Sequence, residues 1–319
     1  MKKKILVLGG GISKERIISL ETAKCVYREL IKKMLKLITD LDKKTFQNMG
    51  VVFLPDMFDN DWIQSLKEGV GKNLANPGNR MRIWDRSDKD KITLYDSDNW
   101  RRIEEYKNFI YEGPSKEIAC SLLETSRVNF FFDAIFTRST GVKFRTPWHQ
   151  DEPYWTVEGL DTVSFWMPLV PVEKKSALSF VPGSHRWPNQ YRQKDFSALN
   201  PDKQPSIDSV SFQGEWETFP DINNDLERYK IISWDMTPGD CVAFNGRTIH
   251  GGSGQLRPQC DLKIFNTKWL GDDVRVRFKP YGMDPDHSKK MQTAGMKAGD
   301  RVDNAIYPSF CLENGWLLK

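Results

Sequence analysis

The sequence predicts a mainly β protein, a double-sheet jelly roll with helices packed outside it. Three observations carry this expectation. From about residue 128 onward, short runs rich in Val, Ile, Phe, Trp and Thr recur: VNFFFDAIFTR, TVSFWMPLV, SALSFVPGSH, GDCVAFNG and CDLKIFNTKWL. Such residues favour a pleated, buried backbone, and turn residues separate the runs. A helical lead-in precedes them, and helices followed by many short strands point to two packed sheets rather than alternating βαβ units.

The elements follow in chain order. Residues 4–8, KILVL, form an apolar run ahead of Gly9, Gly10 and Gly11, and Ile17, Leu20, Ala23, Tyr27 and Leu30 then recur near helical spacing. This is strand, glycine turn, helix. One strand and one helix make no sheet core alone, so residues 1–36 read as an appendage and residues 37–319 as the main domain. The second beginning reads as a helix up to Gly50, the strand VVFL, and a helix capped by Asp59 or Asp61. RMRIWDRSDKDKITLYD reads as an exposed, partly stranded excursion. Residues 99–127 carry a helical pattern broken at Gly113-Pro114. The tail from Tyr281 to Lys319 reads as a meandering cover ending in WLL.

Composition narrows the function classes. The 319 residues are 39% apolar and 12% aromatic, enough to bury a core and to argue against global disorder. Lys+Arg 47 against Asp+Glu 43 leaves +4, too thinly spread to point to nucleic acid. Apolar runs stay too short for a membrane span. Cys25, Cys120, Cys241, Cys260 and Cys311 are scattered without C-x-x-C spacing, which disfavours a zinc finger or disulfide framework and makes a reducing, cytoplasmic setting the expectation. The start lacks the apolar length of a signal peptide. Oligomeric state is not legible.

The chemistry gathers around few histidines. The chain has four: His149, His185, His250 and His287. His149 lies in TPWHQDEPYW with Asp151 two residues on, and residues i and i+2 of a strand share a face. His250 follows in NGRTIHGG. Two His and one carboxylate with open positions form the facial triad of non-haem Fe(II) oxygenases. The alternative is a surface turn, since H-x-D is common. The flanking Trp148, Tyr154 and Trp155 favour a lined pocket, although both Tyr154 and Trp155 are equally at home in a core. Gly251 and Gly252 permit close backbone approach at His250.

Four ordered stretches, TPWHQDEPYW, SALSFVPGSHRW, WDMTPGDCVAFNGRTIHG and TKWLGDD, resemble the phytanoyl-CoA dioxygenase family of Fe(II)/2-oxoglutarate oxygenases, over residues from about 38 to about 275. The resemblance implies a double-stranded β-helix core, cupin-like, with His149, Asp151 and His250 binding Fe(II). It implies that 2-oxoglutarate is oxidatively decarboxylated to succinate with O2 while a small organic molecule is hydroxylated. Related halogenases lack the carboxylate ligand, so Asp151 favours hydroxylation. Separately, GGGISKERIISLETAKCV resembles the start of D-alanine–D-alanine ligases of the ATP-grasp family. Nothing later resembles the ligase's other segments, so the appendage implies no ligase activity.

One departure concerns the co-substrate. The family usually places an Arg shortly after its second His, where it pairs with the far carboxylate of 2-oxoglutarate. Here that position is Asp261, which cannot clamp a carboxylate. Lys263, on the same strand face as Asp261, is favoured over Arg257 as the replacement, with an ordinary solvated cation as the alternative for either. The family resemblance also places Gln150, Trp166 and Ser253 near the co-substrate. Their bland readings are a turn amide, a core aromatic and a loop hydroxyl. His185, in VPGSHRW, reads as structural, Arg138 as a solvated edge cation with the pocket as its alternative, and His287, in DPDHSKK, as exposed. The basic segment 80–102 reads as a solvated face. The missing Arg keeps a second hypothesis open, a non-catalytic metal- or ligand-binding jelly roll.

Overall fold

Gly50 is the joint between the lead-in helix and the sheet. The fold is seen in a computed structural model, which describes residues 38–318 apart from 89–90, 143–145, 190, 192–216, 218, 253–260, 280–282, 303–305 and 314–315. Helix α1 (Asp40–Met49) closes with Gly50 N donating to Phe46 O at 2.7 Å, and Gly50 takes φ +70°. A Cβ there would lie 2.3 Å from His185 Nδ1 and 2.5 Å from Thr248 Oγ1. The Gly50 carbonyl accepts from Asn245 N at 2.8 Å and Thr248 Oγ1 at 2.7 Å, so the turn is bonded to the loop that leads into His250. Gly50→Ala is expected to cost about 2–4 kcal/mol of stability in urea unfolding, from the left-handed backbone and from the collision. A loss below about 0.5 kcal/mol, the range of a neutral surface change, would contradict this account.

From that turn, β1 (Val51–Leu54) enters the sheet and α2 (Asn60–Ala75) follows. Of the two candidate caps it is Asp59 whose carboxylate accepts from Trp62 N, at 3.0 Å. β2 (Arg82–Asp88) and β3 (Lys91–Ser97) form a hairpin. The structure corrects the expectation of an exposed excursion here. β3 is an integral neighbour of β4, and Thr93–Ser97 are buried, because the apolar TLY run turns inward. Helices α3 (Glu104–Glu112) and α4 (Ser115–Leu123) break at Gly113-Pro114 as expected, Pro having no N–H to continue the first helix.

The strand β4 (Arg127–Arg138) organises the large sheet. Along one edge its first residues pair with β12 (Ser309–Glu313) and its last with β3. Its other edge pairs with β10 (Leu262–Leu270). With β6 (Thr162–Pro168), β8 (Cys241–Phe244) and β13 (Trp316–Leu318), the order is β1-β8-β6-β10-β4-β12-β13, every pair antiparallel. A smaller sheet joins β7 (Leu178–Phe180) to β9 (His250–Gly252) and continues through a bridge from His250 to His149. This is the two-sheet jelly roll that the strand runs predict.

Both faces of the large sheet are covered, so its central strands are buried throughout rather than alternating. On the helix side Phe265 packs against Tyr106 and Phe109, with ring centroids at 4.6 and 5.8 Å. On the other side Leu262, Ile264, Asn266 and Lys268 line a cavity of about 600 Å³ between the two sheets. The parity of β10 therefore decides which side chains reach the cavity.

His287 is also corrected, being buried completely rather than exposed. It immediately precedes α5 (Ser288–Thr293), whose polar residues disguise an imidazole that plugs the core. Nε2 lies 3.3 Å from Asp98 Oδ2, Nδ1 lies 2.9 Å from the Tyr307 hydroxyl, and the ring stands edge-on to Phe131 and Phe132. Burial holds its pKa down to about 4, against the pull of Asp98.

The backbone divides into residues 1–39 and 40–319. The strand, glycine turn and helix expected over residues 1–36 lie outside the described residues. Among the described residues no helix is long and apolar enough to cross a membrane.

Candidate metal centre and its cavity

His149 and His250 are mutual backbone partners. Each donates its N–H to the other's carbonyl at 2.9 Å, an antiparallel pair that sets two side chains together on one face. The imidazole centroids are 4.1 Å apart. Asp151 arrives differently from the strand alternation expected. It leaves the extended path with φ −75°, ψ −43° and opens the 3₁₀ turn Glu152–Tyr154, which swings its carboxylate back between the rings. Its Oδ1 lies 3.5 Å from His149 Nε2 and 3.6 Å from His250 Nε2, and one donor atom of each residue falls within 4.8 Å of the others.

The donor set fits a divalent first-row metal with open positions. His149 Nδ1 lies 2.8 Å from Pro147 O and His250 Nδ1 lies 2.9 Å from Thr248 O. Carbonyls only accept, so both Nδ1 atoms carry the proton and both Nε2 lone pairs face inward. Ser164 Oγ donates to Asp151 Oδ2 at 3.3 Å. Burial pushes the Asp151 pKa up, but the adjoining His149 and His250 imidazoles and the Lys268 ammonium outweigh it and hold it well below the carboxylate range. Burial and the adjacent His149 hold His250 down to about 3, despite Asp151. Neutral imidazole and ionised carboxylate are the forms that ligate.

Two buried contacts brace the Asp151 turn. Glu152 N donates to Gly246 O at 2.9 Å, tying the turn to the segment before His250. Lys279 Nζ donates to Glu152 O at 2.6 Å, to Glu152 Oε1 at 3.1 Å and to Val157 O at 3.2 Å, with both side chains buried.

The other expected site residues divide. Trp166, on β6, lines the cavity, as do Tyr154 and Trp155. Gln150 does not; buried behind the site, its Nε2 donates to Arg247 O at 2.8 Å. Lys263 does not either. It has the parity of Phe265, on the far face of β10 from the cavity, and is half-buried there. Asp261 is exposed and accepts from Thr140 N at 2.8 Å and Thr140 Oγ1 at 3.0 Å. Ser253 and Arg257 lie outside the described residues. His185 is buried with Nε2 3.2 Å from Gln47 O, beside the Gly50 turn, a structural place.

Arg82, Arg138 and Lys268 line the cavity; the sequence reading gave Arg138 the pocket only as its alternative, set Arg82 in a solvated face and passed over Lys268. Arg138 is buried rather than solvated and lines the cavity, with Nη2 3.4 Å from Thr146 Oγ1. It stands directly across from Leu262 in the β4–β10 register. Lys268 is 4% exposed on the cavity face of β10, and burial lowers its pKa to about 8 against the pull of Asp151 and Asp133. A lysine set within the largely apolar run IFNTKWL was the available signal.

The profile of the phytanoyl-CoA dioxygenase (PhyH) family matches residues 46–258, about two thirds of the chain. Among solved structures, the chain is similar to the non-heme alpha ketoglutarate dependent carbocyclase SnoK from nogalamycin biosynthesis, at TM-score 0.63 and 17% identity, covering 85% of this chain and 96% of that one. It is also similar to EctD from S. alaskensis, solved with 2-oxoglutarate and 5-hydroxyectoine, at TM-score 0.60 and 18% identity, covering 83% and 86%. At these identities the likeness speaks for the fold. A curated D-alanine–D-alanine ligase from Pelagibacter ubique (strain HTCC1062) is 54% identical over 61 residues, 19% of this chain. The chain spans about a fifth of that ligase's length.

Proposed function

Because the chain belongs to the phytanoyl-CoA dioxygenase family, and with it to the iron- and 2-oxoglutarate-dependent oxidoreductases, we propose that it hydroxylates a small organic substrate while 2-oxoglutarate is decarboxylated to succinate. The observation that carries this reading is the triad: two Nε2 lone pairs and one carboxylate converging on a cavity. Iron bound there supplies the one-electron and O2 chemistry. His149 and His250 supply neutral donors held by backbone carbonyls, and Asp151 supplies one negative charge and leaves the opposite side open. Phe244 and Trp166 wall the cavity near the triad and limit water there. We take residues 37–319 as the oxygenase unit, residues 1–36 as an appendage, and the cytoplasm as its setting, in keeping with the free thiols Cys120, Cys241 and Cys311. Anaerobic addition of Fe(II) and 2-oxoglutarate is expected to give a weak visible absorption band, and admitting O2 to release succinate. Absence of both would overturn the reading.

Arg138 takes the anchoring role that Lys263 was expected to fill. It presents a guanidinium to the cavity beside Thr146, whose carbonyl accepts from Gly252 N, two residues past His250. The guanidinium and the triad line one cavity, which suits Arg138 to a carboxylate clamp. In calorimetry with Mn(II) in place of iron, Arg138→Leu is expected to weaken 2-oxoglutarate binding about 10- to 100-fold, the worth of a charge-assisted hydrogen bond. Lys263→Ala is expected to leave it within about twofold, as for a change outside the site.

A further inference from the structure

Lys268 has no partner that explains it. Its ammonium is almost fully buried, yet among the described residues it makes no ion pair and no hydrogen bond. Its nearest aromatic faces are Phe132 and Phe136, with ring centroids 5.4 and 6.0 Å from Nζ. Burying an unpaired charge costs several kcal/mol, so such a group persists where a ligand repays it. Its nearby carboxylates are engaged elsewhere. Asp151 belongs to the triad, and Asp133 accepts from Asn99 N and Trp100 N.

Charge counting says what is missing. Arg82 is neutralised by Asp284 at 3.3 Å. A divalent metal with Asp151 keeps one positive charge, which one carboxylate of 2-oxoglutarate would cancel, the other carboxylate being directed to Arg138. Lys268 remains without a contacting anion, beside the Phe132 and Phe136 rings of the cavity wall.

Position says which molecule supplies the anion. Leu262, across from Arg138, and Lys268 are six residues apart on one extended strand, a separation of roughly 20 Å with side chains standing off the sheet. A five-carbon diacid spans only roughly the length of two extended residues. Its length is less than the backbone separation of the two positions, which leaves the Lys268 end of the cavity to a second anion. Lys268 pairs across the sheet with Ser164, the residue bonded to Asp151, which puts the ammonium at the triad end.

Resting on the oxygenase reading, we infer that Lys268 receives a carboxylate of the primary substrate, so that the enzyme acts on a small organic monoacid whose acid group lies close to the position oxidised. The competing source of the same chemistry is the co-substrate carboxylate beside its keto group.

The test uses the full chain loaded with Mn(II) and 2-oxoglutarate. Calorimetry compares benzoate with benzamide, and cyclohexanecarboxylate with its amide, in the wild type, K268M and K268R. At least one acid is expected to bind about tenfold or more tighter than its amide, a preference of the size of a charge-assisted hydrogen bond. K268M is expected to erase that preference, K268R to keep most of it, and 2-oxoglutarate affinity to change by less than about threefold in K268M. K268M is expected to melt no lower than the wild type, since replacing a buried unpaired charge by an apolar isostere relieves a cost. The inference is overturned if no acid is preferred to its amide, if the preference survives K268M, or if K268M weakens 2-oxoglutarate binding tenfold or more, which would assign the ammonium to the co-substrate. A wild type that binds no 2-oxoglutarate at all would count instead against the oxygenase reading.

Discussion

Asp151→Ala is expected to abolish turnover and to weaken Fe(II) or Mn(II) binding by more than about 100-fold, since loss of an outer-shell partner alone costs about 10- to 100-fold. The substitution removes the one anionic donor of the triad and leaves two neutral imidazoles facing a divalent ion. The fold is expected to survive it. Asp151 makes one long hydrogen bond, from Ser164 at 3.3 Å, and the turn that carries it is held by the backbone of Glu152 and Tyr154 instead. Circular dichroism should therefore match the wild type while equilibrium dialysis of metal shows the loss. Asp151→Asn keeps the shape without the charge and is expected to fall with the alanine variant. Retention of near-normal metal affinity in either would remove the basis for the site.

The second large effect is one of stability. Lys279→Met is expected to cost about 3–5 kcal/mol in urea unfolding, because it strands the Glu152 carboxylate in the interior. Three acceptors lose their donor at once: the Glu152 side chain and the carbonyls of Glu152 and Val157. The companion change Glu152→Gln neutralises the stranded group. The double variant is expected to be more stable than the two single losses summed, by at least about 1 kcal/mol, the signature of a direct pair. Simple additivity would show that the two residues act separately. The pair sits one residue beyond Asp151, so the single variant is also expected to loosen metal binding, a readout that a remote core defect would not move.

Much of the fold and the triad was legible beforehand, and the reasons differ by element. The helix break at Gly113-Pro114 and the cap at Asp59 follow from local backbone chemistry, which needs no tertiary context. His149, Asp151 and His250 were legible because few side chains bind metals and the chain has only four histidines. The inward face of β10 was not legible. A strand covered on both sides shows no alternation, so its facing is set by pairing with β4 and β6, which sequence spacing does not reveal. That is why Lys263 was chosen and Lys268 overlooked, although TKWLGDD contains the latter. Arg138 and His287 failed for a related reason. Charged or polar neighbours are a poor guide to exposure where a layer from elsewhere in the chain closes over them.

The reciprocal amide bonds between His149 and His250 have a kinetic corollary. Because the two imidazoles stand on segments joined by one antiparallel bridge, a breathing motion that parts that bridge is expected to unseat both ligands together. Ion capture thus begins from a ready seat, and release is gated by the rarity of that opening.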